Sequence, residues 1–157
     1  MQSFKDNTGQ TWEIPMNVSI AERVKTFAGF NLLDDSDDQR FAKLATDAVL
    51  LVAVLFAACG KQADQRSIDK DGFAELITGD TIDDATTALL EAIANFSPAR
   101  KRAAMLKAIS KMKEGENYAM DIADQKIDAI DVKAIVESIL GKPSTESPDT
   151  SALTQGR

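Results

Sequence analysis

The stretch from Asp47 to Gly60, DAVLLVAVLFAACG, decides how the chain must be arranged, because its twelve inner residues, Ala48 to Cys59, include no polar side chain. A helix that is apolar all round cannot lie on a surface and must be enclosed by the rest of the protein. A continuous membrane span needs about 20 apolar residues, more than this run offers. Asp47 is placed to act as N-cap and Gly60 as the C′ stop. Val49, Val52 and Val54 leave a buried strand as the alternative. Ala48, Ala53, Ala57 and Ala58, with the length of the run, favour a buried central helix over 48–59.

Upstream, Ser36-Asp37-Asp38-Gln39 has capping-box spacing and starts a short helix from about Asp37 to Ala45. Downstream, Ser67 or Asp69 caps a short helix that carries Phe73, Leu76 and Ile77 inward and stops at Gly79. Thr81-Ile82-Asp83-Asp84 opens a helix running to Phe96, with Ile82, Ala85, Leu89, Ile93 and Phe96 within about 60° of arc. Ser97-Pro98 reads as an N-cap followed by proline at the first helical position. The next helix carries Arg100, Lys101, Arg102, Lys107, Lys111 and Lys113 with no acidic residue up to Lys113. Met105, Leu106, Ile109 and Met112 share one side of it, and Arg100, Lys101, Lys107 and Lys111 the other. That basic side suits solvent or an acidic protein surface; no aromatic residues are interleaved as nucleic-acid binding would require.

Glu114-Gly115-Glu116-Asn117 is expected to break that helix, and a last element runs from about Tyr118 to Leu140. As one straight helix it has two opposite apolar sides: Met120, Ala123, Ile127, Ile130 and Ala134 on one, Ile122, Val132, Val136, Ile139 and Leu140 on the other. A terminal helix packed on its own domain needs only one stripe. Either the helix breaks near Asp128 or Asp131, or its second face covers a partner. From Gly141 onward the chain is polar and proline-bearing and reads as a mobile tail, 141–157.

At the N-terminus, Asp6-Asn7-Thr8-Gly9 sits between Phe4 and the alternating Trp12 and Ile14, which is a β-hairpin signal. A lone hairpin is marginal in water, so its apolar face belongs on the helices, with Trp12 as an anchor against the first of them. Ser19-Ile20-Ala21-Glu22 fits a capping box; Ile20, Val24 and Phe27 form the stripe of the helix it starts, and Gly29 ends it. Phe30, Leu32 and Leu33 are a candidate third strand beside the hairpin. The fold expected is mostly α: a small N-terminal hairpin packed on a multi-helix bundle, one domain over 1–140.

The 157 residues carry a net charge of −7, which argues against nonspecific binding to nucleic acid or to an anionic membrane. Cys59 is the only cysteine, so no intrachain disulfide is possible, and its place in the apolar run makes it an inert buried thiol. The chain has no histidine, hence no His-based triad or zinc site, and no Gly-rich phosphate loop. Asp34, Asp35, Asp37 and Asp38 invite a calcium reading, but no glycine sits at their centre. Asp69-Lys70-Asp71-Gly72 imitates the middle of an EF-hand loop, yet Thr78 stands where the bidentate glutamate belongs. Neither cluster makes a metal loop, both suit helix starts, and no cofactor is expected. No leader of basic then apolar residues opens the chain, which reads as cytoplasmic.

The order of parts resembles a family of tail assembly chaperones of long-tailed bacteriophages. The positions that carry the likeness are Trp12, Ile14, Val24, Gly29, Leu32, Leu33, Phe73, Phe96 and Pro98, and it spans roughly residues 3 to 112. The resemblance implies a small, mostly helical, non-catalytic protein of the host cytoplasm that binds the tape measure protein, keeps it soluble and helps recruit tail tube protein, with no nucleic-acid or membrane partner. Some chaperones of that family are made in two lengths by ribosomal frameshifting, and Gly141-Lys142 is a dipeptide that a slippery codon run could encode. The docking surface expected is Ile122, Val132, Val136 and Ile139, assisted by Arg100, Lys107 and Lys111. A structural virion component, such as a neck or tail completion protein, is the alternative.

Overall fold

The computed structural model describes residues 1–34, 36, 37 and 39–141. Asp35 and Asp38, and the expected tail beyond Gly141 with Lys142 of the slippery pair, lie outside the described residues. The rest is mostly helical: among the described residues there are two strands, β1 (Gln2–Lys5) and β2 (Thr11–Ile14), and seven helices. The helices are α1 (Val18–Ala28), α2 (Arg40–Thr46), α3 (Ala48–Gln65), α4 (Lys70–Leu76), α5 (Asp80–Phe96), α6 (Ala99–Asp128) and α7 (Val132–Leu140).

The strands pair antiparallel with Phe4 opposite Trp12 and Gln2 opposite Ile14. Alternation turns Phe4, Trp12 and Ile14 inward, where all three are buried. β1 lies along α5 and β2 against α3. Trp12 is an anchor, but against α4 rather than α1: its ring meets Phe73 edge-on at 4.8 Å, and the Arg66 guanidinium covers its face at 4.1 Å. Phe56 continues the aromatic chain from Phe73 to Phe27.

The apolar run is the central helix, capped by Asp47, whose carboxylate accepts from the Leu50 N–H at 2.9 Å. It does not stop at Gly60. α3 continues to Gln65 and ends in a Schellman arrangement, with Ile68 N–H on Ala63 O, Ser67 N–H on Asp64 O, and Ser67 in the left-handed region at φ 55°. One glycine costs a helix only about 1 kcal/mol. The added turn offsets that by holding the outer edge of β2. The Gln62 amide accepts from Glu13 N–H at 3.0 Å and donates to Glu13 O at 2.7 Å, and Arg66 donates to Thr11 O at 3.0 Å. Gly60 leaves room for Arg23, which reaches Ala58 O at 3.2 Å.

The edge that a third strand would need is therefore taken by side chains of α3. Phe30 and Leu32 are buried in a turn instead, shaped by the Asn31 side chain accepting from Leu33 N–H at 3.2 Å. At 18 residues α3 is long and apolar enough to cross a membrane by length and composition. Its packing is that of a core helix, since Leu51, Val54, Leu55 and Cys59 belong to one buried cluster with Trp12, Phe73 and Leu89. It is not enclosed at its first turn, where Val49 is 80% exposed.

Several caps differ from expectation. Asn17, not Ser19, caps α1, accepting from Ile20 N–H at 2.9 Å, and Gly29 closes that helix in the left-handed region. Asp69 rather than Ser67 caps α4, and Gly79 precedes α5 with no side-chain cap. The Ser97 hydroxyl turns back to Ile93 O at 3.0 Å instead of capping α6. Ala85, Leu89 and Ile93 of the α5 stripe are fully buried, while Phe96 is partly open.

α6 is one helix of 30 residues, uninterrupted by Glu114–Asn117. Gly115 is the poorest helix former there, and Lys113, Glu114 and Glu116 on either side are good ones. α6 ends at Asp128, and Asp131 caps α7 through Ala134 N–H at 3.1 Å, so the last element is broken where Asp128 and Asp131 stand. By contact the chain groups into two units, Met1–Glu114 and Gly115–Arg157, whereas the boundary read from the sequence is at 140/141. The core described above belongs to the first.

Candidate partner-binding surface

In the unit that begins at Gly115, apolar side chains are present in the numbers a core would use, but they face solvent. α7 is amphipathic: at 100° per residue Val132, Ile135, Val136, Ile139 and Leu140 fall within about 140° of arc, with Lys133, Glu137 and Ser138 on the remainder. Val132, Val136 and Ile139 are 66%, 45% and 75% exposed, and Ile135 and Leu140 are open as well. In the last four turns of α6, Met120, Ala123 and Ile127 form a second stripe, with Met120 and Ile127 more than 60% exposed. Ile122 lies on the other side of α6 from that stripe and is half-buried.

Three of the four apolar residues expected to bind a partner, Val132, Val136 and Ile139, are thus brought onto one exposed stripe, and Ile122 stands apart from them on α6. Ile135 belongs to the stripe and was not among the residues expected. Its signal is visible in the sequence once the helix is started at Asp131: Ile135 then follows Val132 by three and precedes Ile139 by four. The basic residues expected to assist, Arg100, Lys107 and Lys111, belong to the other unit. There Ile109 is buried in the core, Met105 and Met112 pack against it, and the three cations are exposed.

An open cleft of about 620 Å³ is walled by Ile14, Met16, Asn17, Asn95, Phe96 and Arg102. Met1 and Gln2 line it too, and Arg102 donates to Ser97 O at 3.3 Å. Among the described residues no three or more acidic, cysteine or histidine side chains come together as metal ligands. Asp34 and Asp37 shape the turns ahead of α2, whose N-cap Gln39 makes no side-chain capping bond, and Asp69 caps α4. Asp34 accepts from both the backbone and the hydroxyl of Ser36, which lowers its pKa. Asp37 is lowered in the same direction by its bond to Lys43 at 2.6 Å.

Among the described residues the two buried ionisable groups, Asp6 and Cys59, have structural surroundings. Asp6 lies under the hairpin turn, where its Oδ1 accepts from Thr8 N–H, the Thr8 hydroxyl and Gln10 N–H, and its Oδ2 accepts from the Trp12 indole at 2.8 Å. Burial pushes its pKa up, but the four donors together pull it further down, so it stays a carboxylate. Cys59 points its thiol at Glu13 O, 3.4 Å away, and burial pushes its pKa up to about 12. A thiol so placed is neither nucleophile nor ligand at neutral pH. The chain matches no protein-family model, no curated protein and no solved structure.

Proposed function

We propose that the protein is a non-catalytic assembly chaperone that holds an apolar segment of another protein through the unit beginning at Gly115. The observation that carries this is the five-residue apolar stripe of α7, which is open to solvent, while the first unit has a buried core of its own. Soluble proteins seldom leave a continuous apolar stripe uncovered unless it meets another surface. The pairing mode it suits is helix against helix, with apolar positions at i, i+3, i+4 and i+7 as anchors.

The client we propose is the tape measure protein of a long-tailed bacteriophage, held in the host cytoplasm until tail tube protein assembles around it. Support for this finer reading is the likeness at Trp12, Ile14, Val24, Gly29, Leu32, Leu33, Phe73, Phe96 and Pro98. Six of these, Trp12, Ile14, Val24, Leu32, Phe73 and Gly29, are buried core positions or the α1 cap. Co-expression tests it. The full chain should keep the tape measure protein in the soluble fraction, and a chain ending before Tyr118 should not; equal solubility with both forms would refute the reading. Mass spectrometry of purified particles separates the chaperone from a virion component, because a chaperone is absent from the finished particle.

A further inference from the structure

The apolar stripes of the second unit lie in a field of one dominant sign. Between Gly115 and Gly141 there are six carboxylates, on Glu116, Asp121, Asp124, Asp128, Asp131 and Glu137, against two ammonium groups, on Lys126 and Lys133. Helix stability does not account for this excess. Asp124 and Asp128 stand at the C-terminal end of α6, where the helix dipole favours cations. Asp121 with Asp124, and Asp124 with Asp128, are like-charge neighbours at i,i+3 and i,i+4, which repel across a helix face. Asp131 alone of the six has a capping bond among the described residues. Charges that oppose the helix they sit on, next to an uncovered apolar stripe, are explained if a partner of opposite charge completes the surface.

We infer that the segment covering this surface is an amphipathic helix whose apolar stripe is flanked by lysine and arginine. The inference rests on the docking role proposed above and adds the charge of the partner. A second copy of this chain is a poor occupant. Its own Gly115–Gly141 segment brings the same excess of carboxylates, so two stripes would meet across like charge. Its basic stretch, Arg100 to Lys113, has Ile109 buried in its own core and Met105 and Met112 packed there, which leaves little apolar stripe to offer. An opposite-charge helix is drawn in by the field before it docks and is held by the apolar contact afterwards.

Two synthetic peptides of about twenty residues test this against the full chain, both with a Leu/Ala stripe at helical spacing, one flanked by Lys and the other by Glu. Fluorescence anisotropy should show the Lys peptide binding about tenfold or more tighter than the Glu peptide in low salt, with the ratio shrinking as ionic strength rises. Val136→Ser with Ile139→Ser, which adds no charge, should weaken the Lys peptide by a similar factor while the far-UV CD spectrum stays the same. Asp124→Lys with Asp128→Lys should remove or invert the preference. Equal binding of both peptides, blocked by the α7 substitutions, would overturn the charge assignment and leave the docking role standing. Binding of neither peptide, or binding of the Lys peptide that ignores the α7 substitutions, would overturn the inference itself. So would a concentration-dependent dimer abolished by Val136→Asp, which would show that a second copy covers the stripe.

Discussion

Trp12 donates its indole N–H to the Asp6 carboxylate at 2.8 Å, and with that bond the tip of the hairpin is tied to the packed face of its second strand. Asp6 also holds Thr8 and Gln10, so one carboxylate closes the turn and satisfies the one polar atom of a wholly buried indole. The hairpin is seated by that pair as much as by the apolar contacts of Phe4 and Ile14.

Asp6→Asn keeps the shape, removes the charge that strengthens these bonds and turns one of the two accepting oxygens into an NH2 donor that faces another donor. A loss of about 1–3 kcal/mol is expected, read from chemical denaturation followed by Trp12 fluorescence. The pH dependence has a definite sign. The folded pKa of Asp6 is lowered below its ordinary value of 3.8, so its contribution is fully present above that value and is lost as pH falls through the folded pKa. The gap between wild type and Asp6→Asn should be constant from neutral pH down to about 5 and close below about 4.

Cys59 should be silent to thiol reagents in the native protein. With its pKa pushed up to about 12 and the residue buried, almost no thiolate is exposed at pH 8. Ellman's reagent should modify it only after denaturation, in an amount of one thiol per chain. Rapid labelling of the folded protein would mean that α3 opens locally at its middle.

Gly60 and Ser67 should respond to opposite exchanges. Gly60 is interior to α3, and an added Cβ would meet Arg23 at 3.6 Å, an ordinary contact, so Gly60→Ala should stabilise by about 0.5–1 kcal/mol. Ser67 occupies a left-handed position at φ 55°, so Ser67→Gly should stabilise by a similar amount, about 0.5–1 kcal/mol. Each should raise the melting temperature by about 2–4 °C. A fall with Gly60→Ala would show that Arg23 needs more room than the packing indicates.

The features legible in the sequence are those that local chemistry determines. The hairpin turn, the Asp47 cap, the left-handed Gly29 and the break between Asp128 and Asp131 all follow from short-range backbone needs. At Gly60 and at the expected third strand, a tertiary contact outweighed a local preference. Gly60 failed to stop α3 because Gln62 and Arg66 reach β2 from the turn beyond it, and the same contacts removed the edge for a third strand. Gly115 failed to stop α6 because its neighbours favour helix. The α7 stripe was visible as periodicity, but its exposure was not, since Val136 reads identically whether it packs on its own domain or waits for another.

The central claim is that the α7 stripe holds a client and contributes nothing to the protein's own core. Val136→Asp with Ile139→Asp, made in the full chain, tests it by pairing two readings on one sample: the melting temperature, and the fraction of co-expressed tape measure protein kept soluble. A melting temperature within about 2 °C of wild type is expected, because both residues are exposed, together with loss of client solubility. A large drop in melting temperature, or client solubility unchanged by the two aspartates, would contradict it.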